Sequence, residues 1–168
     1  MEEKIIEFYL NKEKLKSNFK KFSQIGQVYY PLKTNSNETI LKELLELYKN
    51  SNNGFLITHF SHYYKLLNLG VNTTNMCLVN VITNDEDVKF FYNNGIRYFT
   101  FDNMSSLRNF MKYADLNKTK IAIRLNIIEI FNTFSHLGAN TMECQEMLSL
   151  LKKNKANDYG ISFYLQKE

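Results

Sequence analysis

The stretch Val28-Tyr29-Tyr30-Pro31-Leu32-Lys33-Thr34-Asn35 decides how this chain is read. Its first five residues are apolar or aromatic, as in a strand covered on both faces, and Lys-Thr-Asn follows at once, with no glycine. Apolar residues then recur at helical spacing from about Glu38 to Lys49, with Ile40, Leu41, Leu44, Leu45 and Tyr48 on one stripe. A strand leading into an amphipathic helix is the first part of a β-α-β unit.

The unit repeats along the sequence. Gly54-Phe55-Leu56-Ile57 reads as a second strand, followed by a helix through Tyr63, Leu66 and Leu67 that stops at Gly70. Cys77 to Asn80 is a third strand, and Asn84 or Asp85 can cap the next helix, which carries Val88, Phe91 and Tyr92 and ends at Gly95. Tyr98 to Phe101 is a fourth, with a helix carrying Leu107, Phe110 and Met111 behind it. Ile121 to Leu125 is a fifth. An irregular stretch follows, then a helix with Cys144, Met147, Leu148 and Leu151 at i, i+3, i+4, i+7, and Gly160 to Leu165 is a sixth strand.

The strand ends fall near Lys33, Ile57, Asn80, Phe101, Asn126 and Tyr164, the first five about two dozen residues apart, the length of a strand, a helix and two short loops. Strict alternation predicts a parallel sheet with right-handed crossovers. An open doubly wound sheet and a (β/α)8 barrel both fit, and a glycine-rich fingerprint after the first strand would favour the open sheet. Its absence after Leu32 points to the barrel. The expected fold is α/β, a partial (β/α)8 barrel of about six parallel strands with flanking helices. It forms one domain over residues 1–168, with a leading strand and helix in 1–26 and the repeats in 27–168.

Composition fits this reading: 168 residues, 44% hydrophobic, a single proline, and enough chain for a sizeable core. The net charge of +4 comes mostly from Lys12 to Lys21 and Lys152 to Lys155. In the first stretch Leu15, Phe19 and Phe22 lie among the lysines at helical spacing, which describes an amphipathic helix with a solvated lysine face rather than a nucleic-acid surface. Cys77 and Cys144 stand far apart in apolar patterns and read as buried, reduced core residues. The opening MEEKIIEFYL has no basic start or long apolar run, and no stretch approaches the ~18 apolar residues of a membrane span. A cytoplasmic protein with no membrane or nucleic-acid partner is expected.

The motifs at the strand ends resemble those of the fold-type III pyridoxal-phosphate enzymes, above all the ornithine and diaminopimelate decarboxylases, whose barrel is of the alanine racemase type. Tyr30-Pro31-Leu32-Lys33-Thr34-Asn35 is similar to the family's Tyr-Ala-Val-Lys-x-Asn, whose lysine carries the cofactor. Gly54-Phe55 and the helix to Leu69-Gly70-Val71 resemble its second unit, and Asn80 matches an asparagine at its third strand's end. Asn94-Gly95-Ile96, Thr100-Phe101-Asp102 and Ile123-Arg124-Leu125-Asn126 resemble its Asn-Gly-Val, Thr-Phe-Asp and Leu-Arg-Ile-Asn. Ser135 and Gly138 fall on its Ser-Lys-Phe-Gly, and Gly160-Ile161-Ser162-Phe163 on its Gly-Val-Ser-Phe. Each piece is weak alone; their collinear order from about Phe8 to Phe163 is what carries the resemblance.

The resemblance implies that Lys33 is the catalytic, cofactor-bearing lysine of a pyridoxal 5'-phosphate enzyme. A partly desolvated lysine at a barrel mouth can supply a free amine; the plainer alternative is a lysine capping a strand end in solvent. It also implies that Arg124 lies near the cofactor, although a salt bridge at the barrel rim serves a strand arginine equally well. Tyr164 stands where the family has a histidine that stacks on the cofactor ring. The departures are specific. Leu56 replaces an acidic residue, His59 and His62 stand where the family has Ser and Glu, and Tyr164-Leu165-Gln166-Lys167-Glu168 replaces His-Val-Gly-Ser. His59 and His62 are three apart on a helix, but no third ligand accompanies them and no metal is expected.

Beyond the sixth strand the family has two more strands, a glycine-rich phosphate loop, a glutamate on the pyridine nitrogen and a C-terminal β-domain; these are expected to be absent here. The expected function is therefore the N-terminal part of an amino-acid decarboxylase acting on a small substrate of the ornithine, diaminopimelate, lysine or arginine kind. The expected partner is a second copy or a complementary C-terminal decarboxylase chain, which is expected to complete the cofactor site and to cover Val28, Tyr30, Ile161 and Phe163, left bare at the open edges of a six-stranded partial barrel. A non-catalytic, decarboxylase-like regulatory protein is the alternative.

Overall fold

The structure, a computed structural model, describes residues 9–79, 84–128 and 137–164. Helix α1 (Lys12–Ser23) leads, and five strand–helix pairs follow. They are β1 (Tyr29–Pro31) and α2 (Glu38–Tyr48), β2 (Gly54–Ile57) and α3 (Phe60–Asn68), β3 (Met76–Leu78) and α4 (Asp85–Asn93), β4 (Tyr98–Phe101) and α5 (Met104–Met111), and β5 (Lys120–Arg124) and α6 (Thr141–Lys153). β6 (Asp158–Ser162) follows. The six strands lie side by side in the order β1-β2-β3-β4-β5-β6, every pair parallel, as the repeat predicts. The asparagines that punctuate the sequence start the helices. Asn11, Asn37, Asn84, Asn103 and Asn140 each accept a backbone N–H of the first turn of α1, α2, α4, α5 and α6, replacing a hydrogen bond the helix cannot make for itself.

The register divides the sheet into two faces. Phe55, Ile57, Met76, Leu78, Phe99, Phe101, Ile121 and Ile123 are buried under the helices. Phe110 of α5 packs on Phe99 and Phe101 at 4.8 and 5.0 Å between ring centroids. Tyr48 of α2 meets Phe55 at 5.3 Å. The opposite face carries Tyr29, Leu56, Cys77, Tyr98, Thr100, Ala122 and Arg124. Tyr29 and Tyr98 lie three strands apart in the order, yet their rings touch edge to face at 5.6 Å, so this face is concave and the sheet curls as a barrel does.

Four details correct the sequence reading. β6 begins at Asp158, two residues before the expected Gly160, and ends at Ser162 rather than Leu165. Phe22 leaves the stripe of Leu15 and Phe19 and is exposed, because the core contacts of α1 are made by Leu15 and Phe19, one turn and more before it. Val28 and Tyr30, expected to be bare at an open edge, are half-buried: Leu15 and Phe19 of α1 pack against the same core. Lys33 is exposed where a partly desolvated lysine was expected, since the chain has already turned away from the sheet at Leu32. The leading strand expected before residue 9, Asn80 and Ser135 lie outside the described residues.

Among the described side chains Tyr113 buries its hydroxyl without a partner, and burial, with Asp85 and Tyr92 nearby, pushes its pKa up to about 12. An unpaired buried hydroxyl costs stability, so Tyr113→Phe is expected to raise the unfolding free energy by about 1 kcal/mol in denaturant titration. A loss of stability would mean that the hydroxyl has a partner.

Candidate functional site

In a parallel barrel the strands all point to one mouth, and side chains at their C-terminal ends converge there. Lys33 follows the end of β1, Arg124 ends β5, and Tyr164 comes two residues after β6. The structure therefore places all three expected site residues at the same end of the sheet. A cavity of about 520 Å³ lined by Gln27, Tyr29, Asn75, Tyr98, Lys118 and Asp158 opens at the other end, away from them.

Lys33 sits in a turn whose neighbours are fixed. Leu32 is buried in the helix-side core, its N–H donates to Leu56 O at 3.1 Å, and Thr34 N–H donates back to Pro31 O at 3.1 Å. Among the described residues the Lys33 amine has no hydrogen-bond or ion-pair partner. Arg124 is half-buried, and alternation with Ala122 puts it on the concave face. Its guanidinium likewise has no partner among the described residues, so the rim salt bridge is not made there. Gly138 explains its own presence. At φ +120° its missing Cβ would lie 2.6 Å from Asn126 N and 3.0 Å from Arg124 O, and only glycine lets the segment carrying Ala139 pair with the end of β5. Tyr164 is exposed, its ring presented to solvent beside the mouth.

At the end of β2 the two histidines come together, with ring centroids 3.8 Å apart. His62 is buried, and its Nδ1 accepts from Thr58 N–H at 3.4 Å, which leaves the ring proton on Nε2, the atom a metal would need. Among the described residues no set of three His, Cys, Asp or Glu side chains forms a metal site. Leu56, where the family has an acid, lies half-buried on the concave face between Pro31 and Cys77. Burial drives the Cys77 thiol far above its usual pKa, so it is no nucleophile.

Burial first, then the neighbouring His59 and Lys65, hold His62 below its usual pKa near 6.5. The unfolded chain then binds a proton more readily than the folded one, so this residue's contribution is complete above pH 6.5 and is lost as pH falls through the lower folded value. Thermal unfolding should therefore show a lower midpoint at pH 5 than at pH 7.5, with a smaller drop in His62→Gln; equal drops would contradict the assignment.

Sequence reasoning missed two residues at this mouth. The Lys65 ammonium of α3 donates to Ser36 O at 2.9 Å, and the Tyr30 hydroxyl donates to Asn35 O at 3.1 Å. Both tie down the loop that follows Lys33. Lys65 lies one turn after the buried His62, and that spacing is the only trace of its position in the sequence.

The chain is similar to known proteins over most of its length. Residues 11–165 match the family described as pyridoxal-dependent decarboxylase, pyridoxal binding domain. Among solved structures, the lysine decarboxylase of Selenomonas ruminantium is similar with a TM-score of 0.74 and 21% identity, over 94% of this chain and 41% of that one. The arginine decarboxylase of Paramecium bursaria Chlorella virus gives 0.72 and 23%, over 94% and 43%. The lysine/ornithine decarboxylase of Vibrio vulnificus gives 0.68 and 18%, over 84% and 35%. The chain thus spans roughly two-fifths of the length of these relatives. Curated proteins gave no sequence match. Among the described residues no helix is long and apolar enough to cross a membrane. The chain belongs to the pyridoxal-dependent decarboxylases, and residues 11–165 are its pyridoxal-binding domain.

Proposed function

We propose that this chain is the cofactor-bearing N-terminal part of an amino-acid decarboxylase, that Lys33 is its cofactor lysine, and that activity requires the remainder of the barrel, from a second chain or a continuing one. The observation that carries the reading is the exposed amine of Lys33 on a fixed turn at the C-terminal mouth, with the half-buried Arg124 at the same mouth, neither with a side-chain partner among the described residues. A free primary amine suits an aldehyde and a guanidinium suits an anion, so the donor set fits pyridoxal phosphate. Tyr164 offers a ring face for stacking.

When bound, the cofactor supplies an electron sink for the charge left at the carbon that loses its carboxylate. The protein's part is to hold and to orient. Lys33 Nζ would hold the cofactor through its aldehyde carbon, and the turn from Pro31 to Thr34 fixes the amine's origin. Arg124 offers positive charge to an anionic group from the concave face. Leu56, Thr100 and Ala122 line that face with uncharged side chains and limit water around it. The substrate class is an amino acid of the ornithine, lysine, arginine or diaminopimelate kind.

The test is borohydride reduction in the presence of pyridoxal phosphate at micromolar concentration, followed by peptide mapping, with and without a complementary chain carrying the rest of a decarboxylase barrel. Near-stoichiometric labelling at Lys33 in the completed complex is expected, and none there in Lys33→Ala. Labelling confined to another lysine would overturn the assignment.

A further inference from the structure

The loop after β1 is held by hydrogen bonds from elements on either side of it. Tyr30 of β1 donates its hydroxyl to Asn35 O at 3.1 Å, and Lys65, from the next strand–helix unit, donates its ammonium to Ser36 O at 2.9 Å. Asn35 Oδ1 accepts Asn37 N–H at 3.0 Å, and Asn37 Oδ1 in turn caps α2 through Thr39 N–H at 2.9 Å. Two donors therefore grip consecutive carbonyls two and three residues beyond Lys33. Lys65 is also unlike the lysines that pair with acids, such as Lys12 with Glu43 or Lys42 with Glu38. It is half-buried, and its ammonium is turned onto a main-chain oxygen.

We propose that Lys65 is a positioning residue for Lys33: its grip on Ser36 O, seconded by Tyr30, fixes the turn from which the Lys33 amine reaches an aldehyde. The inference rests on Lys33 being the cofactor lysine. In the reaction the neutral Lys33 amine adds to the aldehyde carbon, a C–N bond forms, and the carbonyl oxygen leaves as water with the two amine protons. Lys65 touches neither reacting atom. It limits how far the turn can swing, and small displacements of a reacting group are expensive in rate.

The experiment uses the full chain and pyridoxal phosphate at millimolar concentration, where lysines react without a completed phosphate site. Borohydride quenches at intervals give the labelling rate of Lys33 relative to the exposed Lys42 and Lys152 in the same sample. A purely structural role for Lys65 would raise or lower all lysines together and leave this ratio unmoved. Lys65→Met is expected to lower the ratio about tenfold, on the order of what misplacing a reacting group costs, while Lys65→Arg, which keeps a charged donor, restores most of it. If Lys33 in the unsubstituted chain reacts no faster than Lys42, the held turn gives the amine no advantage and the inference is overturned, while the cofactor-lysine reading is decided separately by the labelling in the completed complex. If Lys33 is preferred and Lys65→Met preserves the preference, the inference alone is overturned. Should circular dichroism show Lys65→Met unfolded, Tyr30→Phe decides: a lowered ratio supports the grip on the loop, and an unchanged one overturns it.

Discussion

Gly54→Ala is expected to destabilise the fold by about 3 kcal/mol, a large part of a typical domain's stability. Gly54 opens β2, and a Cβ there would lie 2.2 Å from the backbone oxygen of Asn75 and 2.8 Å from Tyr29 Cε1. The first of these atoms is main chain and cannot rotate away. Asn75 is anchored too, since its side-chain amide donates to Asn53 O at 3.1 Å and the strand that starts at the next residue pairs with β2. Relief must come from moving β3 or displacing Tyr29, whose ring packs against Tyr98 across the concave face. Gly160→Ala in β6 is the control, because nothing lies within 4 Å of its added methyl. Denaturant titrations of the two variants should separate clearly, and a Gly54→Ala chain as stable as Gly160→Ala would show that β2 and β3 do not approach as described.

Most of the fold was legible because strands covered on both sides must be apolar throughout, and five of the six announce themselves this way. β6 was misplaced for the same reason. It enters the sheet through Asp158, which pairs with Lys120 at 3.5 Å at the polar end of the barrel, and a charged first residue does not look like a strand. Phe22 misled because helical spacing records which residues share a stripe, not how much of the stripe a neighbour covers.

The site divides similarly. Lys33, Arg124 and Tyr164 were reached through the resemblance of their motifs, and Arg124 also as a charge inside an apolar strand, where it needs a partner. Lys65 and the Tyr30 hydroxyl were not, because their roles depend on a loop from one strand–helix unit lying against the helix of the next. The stacking of His59 on His62 was open to sequence only as a spacing. That His62 faces inward, with Nδ1 on Thr58 N–H, follows from where α3 starts.

The second large effect is self-association through β6. Each of the first five strands has its outer face covered by helices, whereas on β6 Tyr159 and Ile161 are 36 and 52% exposed, and Phe163 and Tyr164 just after it 55 and 53%. With ~150–250 Å² in each large aromatic side chain, these four leave on the order of 400 Å² bare, within the range of the largest apolar patch on a typical monomer. At roughly 25 cal/mol per Å², covering it contributes on the order of 10 kcal/mol before the cost of association. Among the described residues β6 also pairs only with β5, which leaves the backbone groups of its other edge without a strand partner there. At β1 the equivalent hazard is reduced, because Val28 and Tyr30 are half-buried against the core on which α1 also packs, and Asn53 Oδ1 accepts Val28 N–H at 2.7 Å. Light scattering on the chain by itself should therefore show a mass that rises with concentration. The double variant Ile161→Lys, Phe163→Lys should hold the monomer mass over the same range, since two like charges on the patch oppose its burial without touching the buried core. A monodisperse unsubstituted monomer at high concentration would mean that residues outside those described cover the sixth strand.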